Sequence, residues 1–166
     1  MTRIAIPLLA AFGILLVMPA AFARLDEKPE INKFYAHFQD VVNSDAFAKD
    51  PTIGLRFFDE KKVRLFDVMK PTEYTGADFR KHFIDISLAI PAKTDFGDLD
   101  VHVDGNVAFV IYNQHLTGKT SNGQEIDFFM RTTDGLEKGP NGWRIVHEHV
   151  SIPLDEATFQ AMIKKR

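Results

Sequence analysis

Residues 26–45 carry apolar side chains at helical spacing. They recur every three or four positions, at Ile31, Phe34, Tyr35, Phe38, Val41 and Val42. This spacing places them on one face of an α-helix. Two further helices are predicted, one over residues 44–58 with a restart near Pro51, and one over residues 77–90 that ends at Pro91.

The second half of the chain changes to a period of two, which is typical of half-buried strands. Strands are predicted over residues 99–103, 107–117, 124–133 and 143–152, with glycine-containing turns between them. A short strand over residues 62–67 precedes them, and residues 155–164 predict a terminal helix. Helices followed by antiparallel strands predict an α+β domain, in which three helices cover one face of the sheet.

The first 23 residues have the three parts of a secretory signal peptide. Arg3 supplies the positive start, residues 4–17 are apolar, and Ala21-Phe22-Ala23 supplies the small residues of a cleavage site. We therefore expect one domain over residues 24–166, located in the periplasm or secreted. The alternative is an uncleaved membrane anchor, because residues 4–23 are uncharged and long enough to span a bilayer.

Composition excludes several classes of function. The chain has no cysteine, so disulfides and thiolate chemistry are excluded. Its 20 basic and 23 acidic residues are interspersed, whereas nucleic-acid binding needs a concentrated basic surface. No basic amphipathic helix indicates a membrane role once the signal is removed. No cofactor is predicted.

Three segments, residues 101–108, 129–133 and 143–153, closely resemble the SnoaL-like branch of the NTF2-like superfamily. The last of them reads Trp143-Arg144-Ile145-Val146-His147-Glu148-His149-Val150-Ser151-Ile152-Pro153. The superfamily includes ketosteroid isomerases and the association domain of a calmodulin-dependent kinase. The resemblance implies a cone-shaped fold, in which a curved, mostly antiparallel sheet wraps against helices and leaves a pocket. It also implies a homodimer formed through the exposed face of the sheet.

The resemblance assigns a catalytic base to Asp67. In the isomerases an aspartate ends the short strand before a turn that closes on glycine, and residues 67–76 keep that spacing. A carboxylate with apolar neighbours such as Phe66 can move a proton next to a carbonyl, as the aspartate base of ketosteroid isomerase does. Tyr35 is available as the oxyanion tyrosine. The acid partner of the isomerases would fall at Phe128, one residue from Asp127.

Further ligand contacts are predicted on the last two strands. His147 and His149 lie two residues apart, so both point to the same face. Arg131 shares a strand face with Phe129, and in the kinase relatives an arginine at the matching position faces the pocket. An ion pair is the alternative use of Arg131, and a metal site is the alternative use of the two histidines, with His115 or His102 as a further ligand.

Three functional hypotheses follow. The first is an exported protein that holds a small, mostly apolar or aromatic molecule, with acid–base chemistry by Asp67, Tyr35 and a histidine. The second is a non-catalytic binding or oligomerisation module. The third is a metal-dependent enzyme. If the first holds, the carboxylate of Asp67 should lie inside an apolar cavity and have a raised pKa, whereas a solvated Asp67 or a filled cavity favours the second.

Overall fold

The helical period of the N-terminal segment forms α1, which spans Lys28–Val42. Ile31, Tyr35, Phe38 and Val41 make its buried face, as predicted. The computed structural model describes residues 27–69, 73–120 and 122–163. The predicted signal peptide, residues 1–23, lies outside the described residues.

The predicted helix over residues 44–58 divides at Asp50. Its first part is α2 (Asp45–Lys49), where the Ser44 side chain accepts a hydrogen bond from the Phe47 backbone N–H. Its second part is a 3-10 helix over Pro51–Phe57, where Asp50 accepts from Thr52. The division occurs here because Pro51 has no N–H with which to continue α2, while Asp50 caps a new N-terminus.

Two more helices complete the helical part. The third, α3, spans Gly76–Ala89 and ends before Pro91, close to its predicted bounds. The fourth, α4, spans Glu156–Ile163, and its apolar residues are exposed. Within the described ranges, none of these helices combines the length and the apolar character that a bilayer crossing requires.

Seven strands form one sheet in the order β2-β1-β7-β6-β5-β3, with β4 also paired to β5. Their bounds are Arg64–Phe66 (β1), Tyr74–Thr75 (β2), Ala92–Phe96 (β3), Asp100–Asp104 (β4), Val107–Lys119 (β5), Glu125–Gly139 (β6) and Gly142–Ser151 (β7). All neighbours are antiparallel except β1 and β7. The α+β class with helices packed on a curved sheet is confirmed.

The prediction of four hairpin-linked strands plus one short strand was incomplete, because β2 and β3 were missed. β3 follows α3 directly and pairs with one half of β5, while β4 pairs with the other half. In β3 the side chains of Lys93 and Asp95 are exposed and its inner residues are only half-buried. A short edge strand of this kind lacks the clear apolar alternation that a buried strand shows.

A β-bulge in β7 determines which side chains reach the interior. His147 pairs with Gly135 and Ile145 pairs with Leu136, so Val146 is an extra residue in the ladder. Before the bulge Trp143 and Ile145 are buried. After it the parity changes, because one inserted residue reverses the alternation of the strand. Glu148 and Val150 therefore face the helices, and the two histidines do not.

Candidate functional site

A cavity of about 410 Å³ lies between the inner face of the sheet and the helices. Its walls come from the helices α1, α2 and α3, from the strands β1, β3, β5, β6 and β7, and from the residues that follow β1. Most of its side chains are apolar, and many are aromatic: Phe38, Phe47, Phe58, Phe79, Phe83, Phe96, Tyr112 and Phe128. This volume and composition are typical of a site for a small organic molecule.

A carboxylate–imidazole pair lines this cavity. Asp67 follows β1 directly, and its Oδ2 lies 2.5 Å from His82 Nε2 on α3. Both side chains are largely buried, with 14% and 11% of their surface exposed. The Tyr74 ring stacks on the His82 ring at a centroid distance of 3.7 Å. Because the stacking and the hydrogen bond fix the imidazole, the pair is preorganised for proton transfer.

Local sequence explains how the pair forms. His82 lies on the apolar face of α3, at helical spacing from Phe79, Phe83 and Ile86, all of which line the cavity. β2 pairs with β1, which places Tyr74 opposite Leu65 and brings its ring beside the start of α3. The turn that leads into α3 closes on Gly76, whose φ of +53° favours glycine.

Glu148 is a second carboxyl group in the cavity wall. It projects from β7 on the same face as Val150, and both side chains line the cavity. It forms no ion pair or hydrogen bond with another described residue. Burial, and then the neighbouring carboxyls of Asp134 and Asp67, raise the pKa of Glu148 well above its ordinary value. A neutral carboxyl can donate a hydrogen bond, whereas an ionised carboxylate only accepts, and burial favours the neutral form.

Asp134 lies behind the cavity wall and has no exposed surface. Its Oδ2 accepts hydrogen bonds from the Tyr35 hydroxyl at 2.6 Å and from the Tyr112 hydroxyl at 3.0 Å. Its Oδ1 has no partner among the described residues. Burial raises the pKa of Asp134 to about 7, although the two tyrosine hydrogen bonds favour the carboxylate. Because Asp134 pairs directly with Glu148 across β6 and β7, the two acids form one electrostatic unit.

The structure gives the two predicted catalytic residues different surroundings. Asp67 lines the apolar cavity, which is the position that the first hypothesis expects. Tyr35 is buried and donates to Asp134, and it is absent from the cavity lining. Burial, followed by the Asp134 charge, raises the pKa of Tyr35 well above 10, so its hydroxyl stays protonated. Tyr35 therefore positions Asp134, while Tyr112 is the tyrosine that reaches the cavity wall.

The predicted ligand contacts lie on the opposite, outer face of the sheet. None of them lines the cavity, and a molecule held there would not touch them: Phe66, Phe129, Arg131, His147 and His149. Arg131 and Phe129 do share a face, as predicted, but Phe128 and Met130 point inward instead. The Phe66 ring contacts both histidines, with centroid distances of 5.2 and 5.9 Å. The predicted ligand role of these five residues is therefore not supported by their position relative to this cavity.

The metal hypothesis gains no support from the geometry. Within residues 27–69, 73–120 and 122–163, no group of three or more histidine, aspartate or glutamate side chains could hold an ion. The suggested additional ligands have other partners. His115 Nε2 lies 2.7 Å from Asp127 Oδ1 and its ring stacks on Phe129, while His102 stacks on Phe109.

Sequence reasoning missed His82, Glu148, Asp134 and Tyr112 as parts of the site. The acid of the isomerases was expected at Phe128, and the buried acid is instead Asp134, six residues further along the same inner face of β6. Because alternate residues of a strand share a face, Phe128, Met130, Thr132 and Asp134 lie on one side of β6. The sequence therefore contained the information that Asp134 faces the interior. His82 could have been found as the one ionisable residue among the apolar positions of α3.

Solved structures of several proteins have the same fold. An NTF2-like superfamily protein from Salmonella enterica is 25% identical, with a TM-score of 0.64 over 78% of this chain and 92% of that one. The association domain of C. elegans CaMKII is 20% identical, with a TM-score of 0.60 over 75% and 95%. An NTF2-like protein of unknown function from Pseudomonas putida is 20% identical, with a TM-score of 0.63 over 78% and 89%.

These likenesses place the chain in the NTF2-like superfamily. A family model, described as the SnoaL-like domain, matches residues 61–155, which is more than half of the chain. The chain therefore belongs to the SnoaL-like domain family, and the resemblance seen in the sequence is confirmed. No curated protein matches it.

Proposed function

We propose that this chain binds a small, mostly apolar organic molecule in its cavity and transfers a proton on that molecule with Asp67 and His82. The observation that carries the proposal is the Asp67–His82 pair itself, largely buried in the wall of an aromatic-lined cavity. An ion pair that only stabilises the surface of a protein does not have to lie in an apolar cavity. A carboxylate held by an imidazole in an apolar cavity has the arrangement that general acid–base catalysis requires.

The roles of the other groups follow from their positions. Glu148 supplies a second carboxyl in the cavity, and Tyr112 is fixed through Asp134 and Tyr35. Two acids in different surroundings can carry different protonation states at one pH, which is how one site provides both a base and a donor. The reaction class is therefore an isomerisation, hydration or cyclisation that begins with proton transfer.

Binding can be tested with N-phenyl-1-naphthylamine, a weakly basic, uncharged apolar fluorophore, and a matched pair of variants. Met130→Trp should fill the cavity, because Met130 lines it, whereas Arg131→Trp places the same indole on the outer face one residue away. We expect saturable binding by the wild type and by Arg131→Trp. Met130→Trp should bind at least about tenfold more weakly, since the probe loses its buried contacts.

Unchanged affinity in Met130→Trp, with Arg131→Trp weakened instead, would show that the probe binds the outer face. Thermal unfolding of both variants serves as the control for folding. A filled cavity should leave the unfolding transition of Met130→Trp cooperative.

Export is part of the same proposal. The features of residues 1–23 favour a cleaved signal, so the mature chain would begin at Arg24 and act in the periplasm or the medium. N-terminal sequencing of the protein from fractionated cells tests this. A chain that keeps residues 1–23 and sediments with membranes would support the anchor instead.

A second candidate function, homo-oligomerisation, is favoured by the outer face of the sheet. Val107, Phe109 and Ile111 on β5 and Phe129 on β6 are exposed there by 44–56%. A cluster of this kind is typical of an interaction site, and two of the similar structures carry the names association domain and hub. We propose that two copies of this chain pair through this face.

The oligomer prediction is that the wild type sediments as a dimer and Ile111→Asp as a monomer. A buried, unpaired charge in each of the two copies would oppose association. Leu88→Asp is the control, since Leu88 is also exposed (55%, against 44% for Ile111) but lies on α3 at the cavity. Analytical ultracentrifugation gives the masses. A monomeric wild type would exclude this candidate under the conditions used.

A further inference from the structure

The charges in the cavity wall are unbalanced. Asp67 and Glu148 line it together with the exposed Asp45, and Asp134 lies directly behind it. The imidazole of His82 is already bonded to Asp67. The one lysine in the described part of the wall, Lys93, is exposed on the edge strand β3. Glu148 therefore faces the cavity with no cation among the described residues to pair with it.

A carboxyl group without a partner in the cavity lowers the stability of the protein when no ligand is bound. Glu148 is half-buried, and a carboxyl group in an apolar wall is unfavourable without an ion pair or a hydrogen bond. A bound molecule with a positive charge would supply the partner that Glu148 lacks among the described residues of the cavity.

The aromatic lining points to the same kind of ligand. Phe38, Phe83, Phe96, Tyr112 and Phe128 line the cavity together with Glu148. Aromatic faces attract cations, and a cage of aromatic rings with a carboxylate is how proteins recognise ammonium groups. The apolar surface remains available for a hydrocarbon body.

We infer that the cavity takes an amphipathic amine, in which one ammonium group on an apolar body pairs with Glu148. This inference rests on the proposed function, because it names the charge of the small molecule proposed to bind there. When the ammonium ligand binds, a proton leaves Glu148 and passes to solvent, since the ion pair needs the carboxylate. The ligand itself keeps its proton.

The pH dependence follows from the groups that face Glu148. They are Asp134 on β6, Asp67 after β1 with His82 of α3 bonded to it, and Tyr112 and Tyr35, both of which donate to Asp134. Burial and then the nearby acids raise the pKa of Glu148, so amine affinity should increase as the pH is raised above the ordinary range of a glutamate. It should fall again only when the amine itself loses its proton, near pH 10 for an alkylamine.

Isothermal titration with three matched probes tests the inference: 4-phenylbutylamine, 4-phenylbutanol and 4-phenylbutyrate, which are a cation, a neutral molecule and an anion on the same body. For the wild type at pH 8 we expect the amine to bind at least about tenfold more tightly than the alcohol, and the carboxylate to bind most weakly. The amine titration should also release protons, seen as a heat that changes with the ionisation enthalpy of the buffer.

Glu148→Gln removes the charge and keeps the shape. We expect it to bind the alcohol as the wild type does, which shows that the cavity is folded, and to lose the preference for the amine. Asp127→Asn, on the outer face, should keep the preference.

The inference is overturned if the wild type binds amine and alcohol equally, or if Glu148→Gln still prefers the amine. If none of the three probes binds, the proposed binding function fails with it, so the two failures are distinguishable.

Discussion

Asparagine at position 67 is expected to remove most of the proton-transfer activity. Asp67→Asn keeps the size of the side chain but eliminates the base and the charge that His82 Nε2 meets at 2.5 Å. Loss of a general base typically lowers a rate by about 10²–10⁴-fold. The measurement is exchange of carbon-bound hydrogen for deuterium in 2-tetralone, an apolar ketone with acidic C–H bonds, followed by NMR.

The outer face supplies a control of the same chemistry. Asp127 also bonds a histidine, His115, at 2.7 Å, but the pair lies outside the cavity. Asp127→Asn should exchange 2-tetralone at the wild-type rate. Equal losses in the two variants would contradict a special role for Asp67, as would full activity in Asp67→Asn. Retained binding of N-phenyl-1-naphthylamine by Asp67→Asn shows that its cavity is intact.

The second large effect that we expect is a pH dependence of the free energy of unfolding. Asp134 has a folded-state pKa of about 7, against an ordinary value of 3.8. Between these values the folded protein holds a proton that the unfolded chain has lost, so its stability falls as the pH rises. At about 1.4 kcal/mol per pKa unit, the loss from Asp134 reaches up to about 4 kcal/mol and is complete above pH 7.

Asp134→Asn should abolish this loss. The amide oxygen can accept both tyrosine hydrogen bonds, and no charge remains to be buried. We expect the variant to match the wild type near pH 4 and to exceed its free energy of unfolding by up to about 4 kcal/mol at pH 8. Urea unfolding across this range measures the difference, in which the contributions of groups that do not interact with Asp134 cancel.

The exposed Asp98 provides the comparison, because Asp98→Asn should leave the pH dependence unchanged. A difference between Asp134→Asn and the wild type that stays constant from pH 4 to pH 8 would show that Asp134 titrates normally in the folded protein. The assignment of the buried acid unit would then be wrong.

Periodicity predicted most of the elements because most of them bury one face. The apolar stripe from Ile31 to Val41 predicts α1, and alternation predicts β4 to β7. β3 could not be predicted in the same way, since an edge strand with exposed Lys93 and Asp95 has little apolar surface to reveal it. Apolar periodicity in a sequence indicates which side chains are buried, and β3 buries little apolar surface.

The one predicted site residue that the structure places in the cavity wall is Asp67, whose position is set by the end of a strand. Asp67 was identified because it follows β1 at the spacing of a known family, and it does line the cavity. The histidines of β7 were correctly expected to share a face. Which face they take depends on the extra residue Val146, and a bulge is set by pairing with β6 that no local pattern contains.

Long-range pairing also explains the missed acids. Asp134 and Glu148 stand opposite each other across two strands, and Tyr35 reaches Asp134 from α1, 99 positions away in sequence. Each residue alone is ordinary, since a strand carboxylate is usually solvated and a helix tyrosine usually packs. Their combined chemistry arises only when the fold removes them from water.

The most direct test of a ligand-binding cavity uses the methionines. Residues 24–166 contain three, and each reports on a different place: Met130 in the cavity wall, Met69 near its edge and Met162 on α4. The measurement is a ¹H–¹³C spectrum of methyl-labelled methionine during titration with N-phenyl-1-naphthylamine. We predict saturable shifts of the Met130 and Met69 signals while Met162 stays unchanged. A probe that saturates the protein and leaves Met130 unmoved would contradict the account.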